Sequence, residues 1–272
     1  MRTSSFFYQT KLSIVNKICL GGMFIALGMI LNQVVCVKEI PVIPFLKISL
    51  GAPAIIIISS LLLGPCFGGL IGGSIDFLGY LLFDAKSFPY FPQISLTYIL
   101  LGIVPAFIFS FTKNIKNKKI MVGIEGFLLL FVSFLISLFL IFNDSIKLYG
   151  KVYSFDLWMK IIIVCGLFLL SFLILLFTFL MNKAYKRTLK NDLKVNEEDN
   201  KMFNPFQISF TCLICEILVM VLFGTLMKAT AFGFDMYMAI LVCQILTMFF
   251  NIPLNIVLIS YILLVTRNYY LQ

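Results

Sequence analysis

Runs of about twenty apolar residues, separated by short polar or Gly/Pro-bearing segments, follow one another along nearly the whole chain. As a helix rising about 1.5 Å per residue, a run of that length covers a bilayer core of about 30 Å. The pattern predicts about eight spans, over residues 16–37, 46–63, 65–83, 93–112, 120–142, 157–181, 208–228 and 236–266. The last would be about 46 Å long, and its halves around Pro253 are each too short to cross alone, so one kinked or tilted helix is expected. The fold class is therefore an all-α polytopic membrane protein, with the whole chain as one transmembrane domain. The segment 182–207 is the longest polar stretch, far below the roughly 50 residues of a folded domain.

Composition agrees. The 272 residues are 61% hydrophobic and 12% charged, which excludes an ordinary soluble domain. Histidine is absent, removing His-based acid/base chemistry and His-ligated metals. No phosphate loop of the G-x-x-x-x-G-K-[ST] type occurs, so the chain does not hydrolyse ATP by that route. Seven cysteines lie scattered in apolar runs and suggest no disulfide framework; the C-x-x-C of Cys212 and Cys215 reads as packing. No cofactor is implied.

Most of the 21 basic residues fall on one side of the predicted topology. They are Arg2, Lys11 and Lys17, then Lys113, Lys116, Lys118 and Lys119, then Lys183, Lys186, Arg187, Lys190, Lys194 and Lys201, and finally Arg267. The positive-inside rule then places both termini in the cytoplasm. The net charge of +9 is a topological device before it is anything else, and no aromatic-interleaved basic surface suggests nucleic acid as a partner. The segment 182–207, basic from Lys183 to Lys194 and acidic from Glu197 to Asp199, reads as a cytoplasmic linker lying on anionic lipid.

Carboxylates inside hydrocarbon are expensive, so acids near mid-span are the first functional candidates. Two stand out, Asp76 and Glu216. Asp76 lies in a helix thinned by Gly68, Gly72, Ser74 and Gly79, with Gly72 and Gly73 a turn before it and Tyr80 at i+4 and Phe83 at i+7 on its face. A carboxylate between rings and bare backbone suits a flat ligand that donates hydrogen bonds; alternatively the glycines seat neighbouring helices and Asp76 pairs with Asn32 or Gln33 of the first span. Glu216, beside Cys215, reads as an interhelical hydrogen-bonding group. The following loop, 84–93, carries Lys86, Pro89, Tyr90, Phe91 and Pro92 and reads as a rigid outer lid or an interfacial anchor. Gly22 and Ala26 form a small-x-x-x-small pair that admits a close helix, from this chain or from a partner subunit. The spans 120–142 and 157–181 have few interior polar groups and look peripheral.

Three stretches carry a family resemblance: Lys47-Ile-Ser-Leu-Gly-Ala-Pro53, then Leu63-Gly-Pro-Cys-Phe-Gly-Gly-Leu-Ile-Gly-Gly-Ser-Ile-Asp-Phe-Leu-Gly-Tyr80, then Tyr90-Phe-Pro-Gln-Ile-Ser-Leu-Thr97. They resemble the substrate-binding S components of energy-coupling factor (ECF) vitamin importers, in particular the folate family; the likeness is strong from about residue 46 to 105 and resumes weakly at 208–266. The resemblance implies a six-helix domain that takes a vitamin from outside and works with a membrane-embedded T subunit and two ATPase subunits. Residues 120–181 then read as a two-helix insertion between core helices one to four (16–112) and the last two (208–266). The candidate site read from the residues is Asp76, Tyr80, Phe83, Lys86, Tyr90, Phe91, Lys47, Asn32 and Gln33, and the resemblance implies a T-subunit contact at Gly22 and Ala26. The arginine expected on the last helix of folate binders is absent from 239–244, leaving Lys47, Lys86 and Lys228 as cations for an acidic ligand. A vitamin-binding subunit is the leading function; the alternative is a stand-alone proton-coupled secondary transporter using Asp76 or Glu216, although no inverted repeat is evident.

Overall fold

The computed structural model describes residues 13–33, 36–37, 48–49, 51–84, 89–113, 115, 119–143, 145–148, 151–154, 156–191, 204–234 and 237–270. In chain order the helices are α1 (Ile14–Gln33), α2 (Ala52–Leu63), α3 (Pro65–Gly79) with a π turn at Tyr80–Asp84, α4 (Pro92–Lys113), α5 (Lys119–Phe142) and α6 (Leu157–Asn191). Then come α7 (Pro205–Cys215), a π segment at Glu216–Phe223, α8 (Gly224–Phe232) and α9 (Tyr237–Tyr270). Two antiparallel ladders, β1 (Cys36–Val37) with β2 (Ile48–Ser49) and β3 (Ser145–Leu148) with β4 (Lys151–Ser154), join helix ends. Among the described residues seven helical stretches are long and apolar enough to cross a membrane, with α7, the π segment and α8 forming one of them.

The second predicted span differs from the rest. Its first part is the strand β2, and the helix begins only at Ala52, after Gly51 turns through a φ of 95° and Pro53 opens the first turn. All twelve residues of α2 are buried, enclosed by α1, α3, α4 and α9. At about 18 Å it is too short to cross alone. Gly64, at a φ of 96°, both ends α2 and precedes Pro65, which starts α3, so the two helices meet through a single residue.

The core pair is α3 and α4. Without a hydrophobic drive between helices in lipid, association rests on close packing of small residues. A Cβ placed on Gly68 would stand 2.2 Å from the Gly102 carbonyl oxygen, one on Gly102 would stand 2.0 Å from that of Gly68, and one on Gly72 would stand 2.2 Å from that of Tyr98. The backbones therefore touch. On α1, Gly21 and Gly28 face α3, where a Cβ on Gly28 would stand 2.3 Å from Ile75 Cδ1. Gly22, with no described residue within 4 Å of such a Cβ, and exposed Ala26 face away.

The α7–α8 helix and α9 complete the bundle against α2 and α4. Asn204 caps α7 by accepting from the Phe206 amide at 3.0 Å, and Gln207 Nε2 donates to the Phe109 carbonyl and to Thr112 Oγ1, both at 3.0 Å. α5 and α6 pack on each other, with Ser133 and Ser171 hydroxyls 3.0 Å apart, and on α7; α6 also reaches α9. Their outer faces expose Phe127, Phe131, Phe134, Phe172 and Phe179, as a peripheral pair in lipid should. α9 runs unbroken through Pro253, as one long helix. The polar segment expected at 182–207 is helical at both ends, because Ala184, Lys186, Arg187, Leu189 and Lys190 are good helix formers that extend α6 to Asn191; residues 192–203 lie outside the described set.

Replacing Gly102 by Ala should lower the melting temperature of the detergent-solubilised protein by about 5 °C or more, since neither facing backbone is a flexible group that gives way. Gly22→Ala, with open space around it, should shift it by about 1 °C or less. Equal effects in a thermal-unfolding assay would refute the assignment of the two faces.

Candidate functional site

The glycine contacts of α3 and α4 run in a register: Gly68 meets Gly102, and Gly72 meets Tyr98. One more turn along this antiparallel pair brings Asp76 of α3 to Ser95 in the first turn of α4, and there the Ser95 hydroxyl donates to Asp76 Oδ2. The tight packing thus sets the acid against its partner. Ser95 Oγ also lies 2.6 Å from the Tyr90 hydroxyl, so carboxylate and two hydroxyls form a continuous chain. Around it stand rings: Tyr90 lies 5.0 Å from Tyr80, tilted, and 5.5 Å from Phe77, edge to face. Asp76, Tyr80 and Tyr90 are half-buried.

Neighbouring groups come from the same side of the bundle. Phe91 packs on Phe232 at the end of α8, ring centroids 5.2 Å apart. Asn32, buried near the end of α1, lies with its Oδ1 3.5 Å from the Tyr98 hydroxyl. Gln33 covers Gly79, where an added Cβ would stand 3.1 Å from Gln33 Nε2. Gln93, in the first turn of α4, holds a buried Oε1 with no hydrogen-bond partner among the described residues. The ends of α1, α3 and α8 and the start of α4 therefore converge.

Of the residues singled out from the sequence, Asp76, Tyr80 and Tyr90 are brought together, and Phe91, Asn32 and Gln33 border them. Asp76 has the Ser95 hydroxyl as a partner, because the glycine register of α3 aims the acid at α4. Phe83 is 50% exposed and lies in the π turn at Tyr80–Asp84, beyond the stretch for which the α-helical count holds. Lys47 and Lys86 lie outside the described residues. Ser95, Phe77 and Gln93 were not singled out beforehand; the Asp76–Ser95 pair is visible in sequence only once the registry of the glycines of α3 and α4 is known.

The arrangement accepts hydrogen bonds and offers ring faces. Among the described residues no cluster of three His, Cys, Asp or Glu is suited to a metal, and Cys212 and Cys215 are buried free thiols. A further acid lies elsewhere: Glu125 of α5, fully buried, accepts from the Ser209 hydroxyl at 2.5 Å, and Glu216 accepts from Asn255 Nδ2 at 2.9 Å. The interhelical role read for Glu216 is what the structure has; Glu125 was missed, lying near the basic end of a Leu- and Phe-rich span.

The sequence profile of one family, described as ECF transporter, substrate-specific component, matches residues 16–195, from the first turn of α1 to just past the end of α6. No curated protein and no solved structure matches the chain. The matched part is well over half of a multi-pass membrane chain, and the protein belongs to the substrate-specific components of ECF transporters: a substrate-binding transporter subunit, not an enzyme.

Proposed function

We propose that the protein captures folate or a related vitamin with a flat heterocycle from outside the cell and passes it on through a T subunit driven by two ATPase subunits. The observation that carries this reading is the Asp76–Ser95–Tyr90 chain flanked by Tyr80 and Phe77. A fixed carboxylate accepts ring N–H or amino hydrogens, and the tyrosine faces stack on the heterocycle. Phe91, Asn32 and Gln33 border that place, Gln93 offers an unused acceptor, and Phe83, Lys86 and Lys47 are the further candidates from the sequence. Basic residues concentrated at the opposite end of the helices support cytoplasmic termini, which put the converging ends of α1, α3 and α8 on the outer side.

Packing supports a six-helix core of α1 to α4, α7–α8 and α9, with α5 and α6 appended outside it. The open face of α1 at Gly22 and Ala26 is the contact for the T subunit, since Ala26 is exposed and no described residue lies within 4 Å of a Cβ placed on Gly22.

Binding of folate, pantothenate, riboflavin and thiamine to the purified protein should reveal one ligand held well below micromolar; micromolar or weaker binding of all four would remove the vitamin reading. For the ligand that binds, Asp76→Asn should weaken affinity by about 1–3 kcal/mol, or about fivefold to 150-fold. Unchanged affinity would leave Asp76 a packing group. The double variant Gly22→Leu/Ala26→Leu should lose co-purification of a T subunit while retaining ligand binding in isolation; retained co-purification would move the contact elsewhere.

A further inference from the structure

The buried polar atoms between α7–α8 and α9 are out of balance. Glu216 stands where α7 passes into the π segment, and Asn255 of α9 donates from Nδ2 to its Oε1 at 2.9 Å. The remaining oxygen of each group, Glu216 Oε2 and Asn255 Oδ1, is buried with no hydrogen-bond partner among the described residues. Asn251, one turn before Asn255 on the same face of α9, has its Oδ1 in the same condition. Glu216, Asn251 and Asn255 are 1%, 4% and 0% exposed.

All three orphaned atoms are acceptors, and neither an amide oxygen nor a carboxylate oxygen supplies a hydrogen. Inside a bilayer no bulk water makes up the deficit, so it calls for positive charge or a donated proton. The Asn255–Glu216 contact gathers the orphaned oxygens of both groups into one small volume, with Asn251 on the same side of α9. On one side of that volume the winding changes, since the π segment begins at Glu216; on the other, α9 stays helical through Pro253, which has no N–H to donate to the ladder between the two asparagines. Irregular helix turns lined with oxygens are where intramembrane proteins hold ions.

We propose that Glu216, Asn255 and Asn251 form a buried site for one monovalent cation, Na+ or a proton, separate from the Asp76 site. Na+ would draw on all three oxygens. A proton on Glu216 Oε2, donated to Asn255 Oδ1, would close a cyclic acid–amide pair with the existing Nδ2–Oε1 bond. The ionisable groups around the site are Cys212, Cys215 and Lys228 on its own helix, with Glu125 facing Cys212 from α5. Because the site joins the α7–α8 helix to α9, its occupant fastens two helices of the core.

The test is thermal unfolding of the full-length protein in detergent, in choline chloride with Na+ or K+ substituted at constant ionic strength, across a pH series. A saturable, Na+-selective rise of about 3–6 °C supports the Na+ arm. A similar rise on acidification without Na+, with an infrared carboxylic-acid carbonyl band, supports the proton arm. Either response should vanish in Glu216→Gln. Should that variant not fold, Asn255→Ala, which keeps the carboxylate, must at least halve the response. A wild-type protein indifferent to Na+, K+ and pH, or an undiminished response in Glu216→Gln, would overturn the proposal.

Discussion

The contact on which the rest of the structure depends is the meeting of two backbones, α3 and α4, at Gly68, Gly72 and Gly102. Lipid tails are as apolar as leucine, so burying leucine between helices gains little in a membrane, and shape carries the association. A glycine-lined approach supplies van der Waals contact that no larger side chain permits and leaves almost no freedom to slide. The consequence reaches the site one turn later. Asp76 and Ser95 meet because the glycines before and after them have already fixed which turn of α3 lies on which turn of α4, and Tyr90 is carried in by the same start of α4. Glycines that looked like alternatives to a ligand site, mere seats for a neighbouring helix, are the means by which the site is placed.

Polar contacts do a second kind of work at the other side of the bundle. Gln207 ties the start of α7 to the end of α4, Ser209 ties α7 to Glu125 of α5, and Ser133 meets Ser171 between α5 and α6. Each is a modest interaction in a membrane, about 0.6–2 kcal/mol. Together they define one arrangement where the aliphatic and phenylalanine surfaces of α5 and α6 would accept many. α5 and α6 are thus held by these hydrogen bonds and by buried Leu129, Ile136, Leu140, Leu167 and Ile174, while their outer faces are surfaced for lipid.

Helix length and punctuation were legible in the chain because bilayer thickness and the chemistry of Gly-Pro junctions act locally. The spans of α1, α3, α5 and the unbroken α9 follow from that alone, as does the choice of Asp76. Hydropathy is blind to whether an apolar helix faces lipid or protein, so α2 read as an ordinary span although every one of its residues is enclosed. Ser95 was invisible for another reason: serine is tolerated anywhere in a membrane helix, and only the register of a second helix makes one of them a partner for an acid. Phe83 illustrates the limit of periodicity, since the π turn at Tyr80 changes the winding after the last residue for which the α-helical count holds. Glu125 escaped because an acid close to a run of lysines looks like part of the aqueous boundary.

The burial of α2 bears on how the chain is made. A twelve-residue helix emerging from the ribosome exposes too little apolar length to be accepted as a transmembrane segment by itself, and its single-residue junction at Gly64 prevents it from waiting as a separate unit. α2 and α3 therefore form one hairpin, packed so closely that a Cβ added to Gly72 of α3 would stand 3.3 Å from Ile56 Cγ2 of α2. The glycine that ends one helix and starts the next thereby makes the pair a single packing unit.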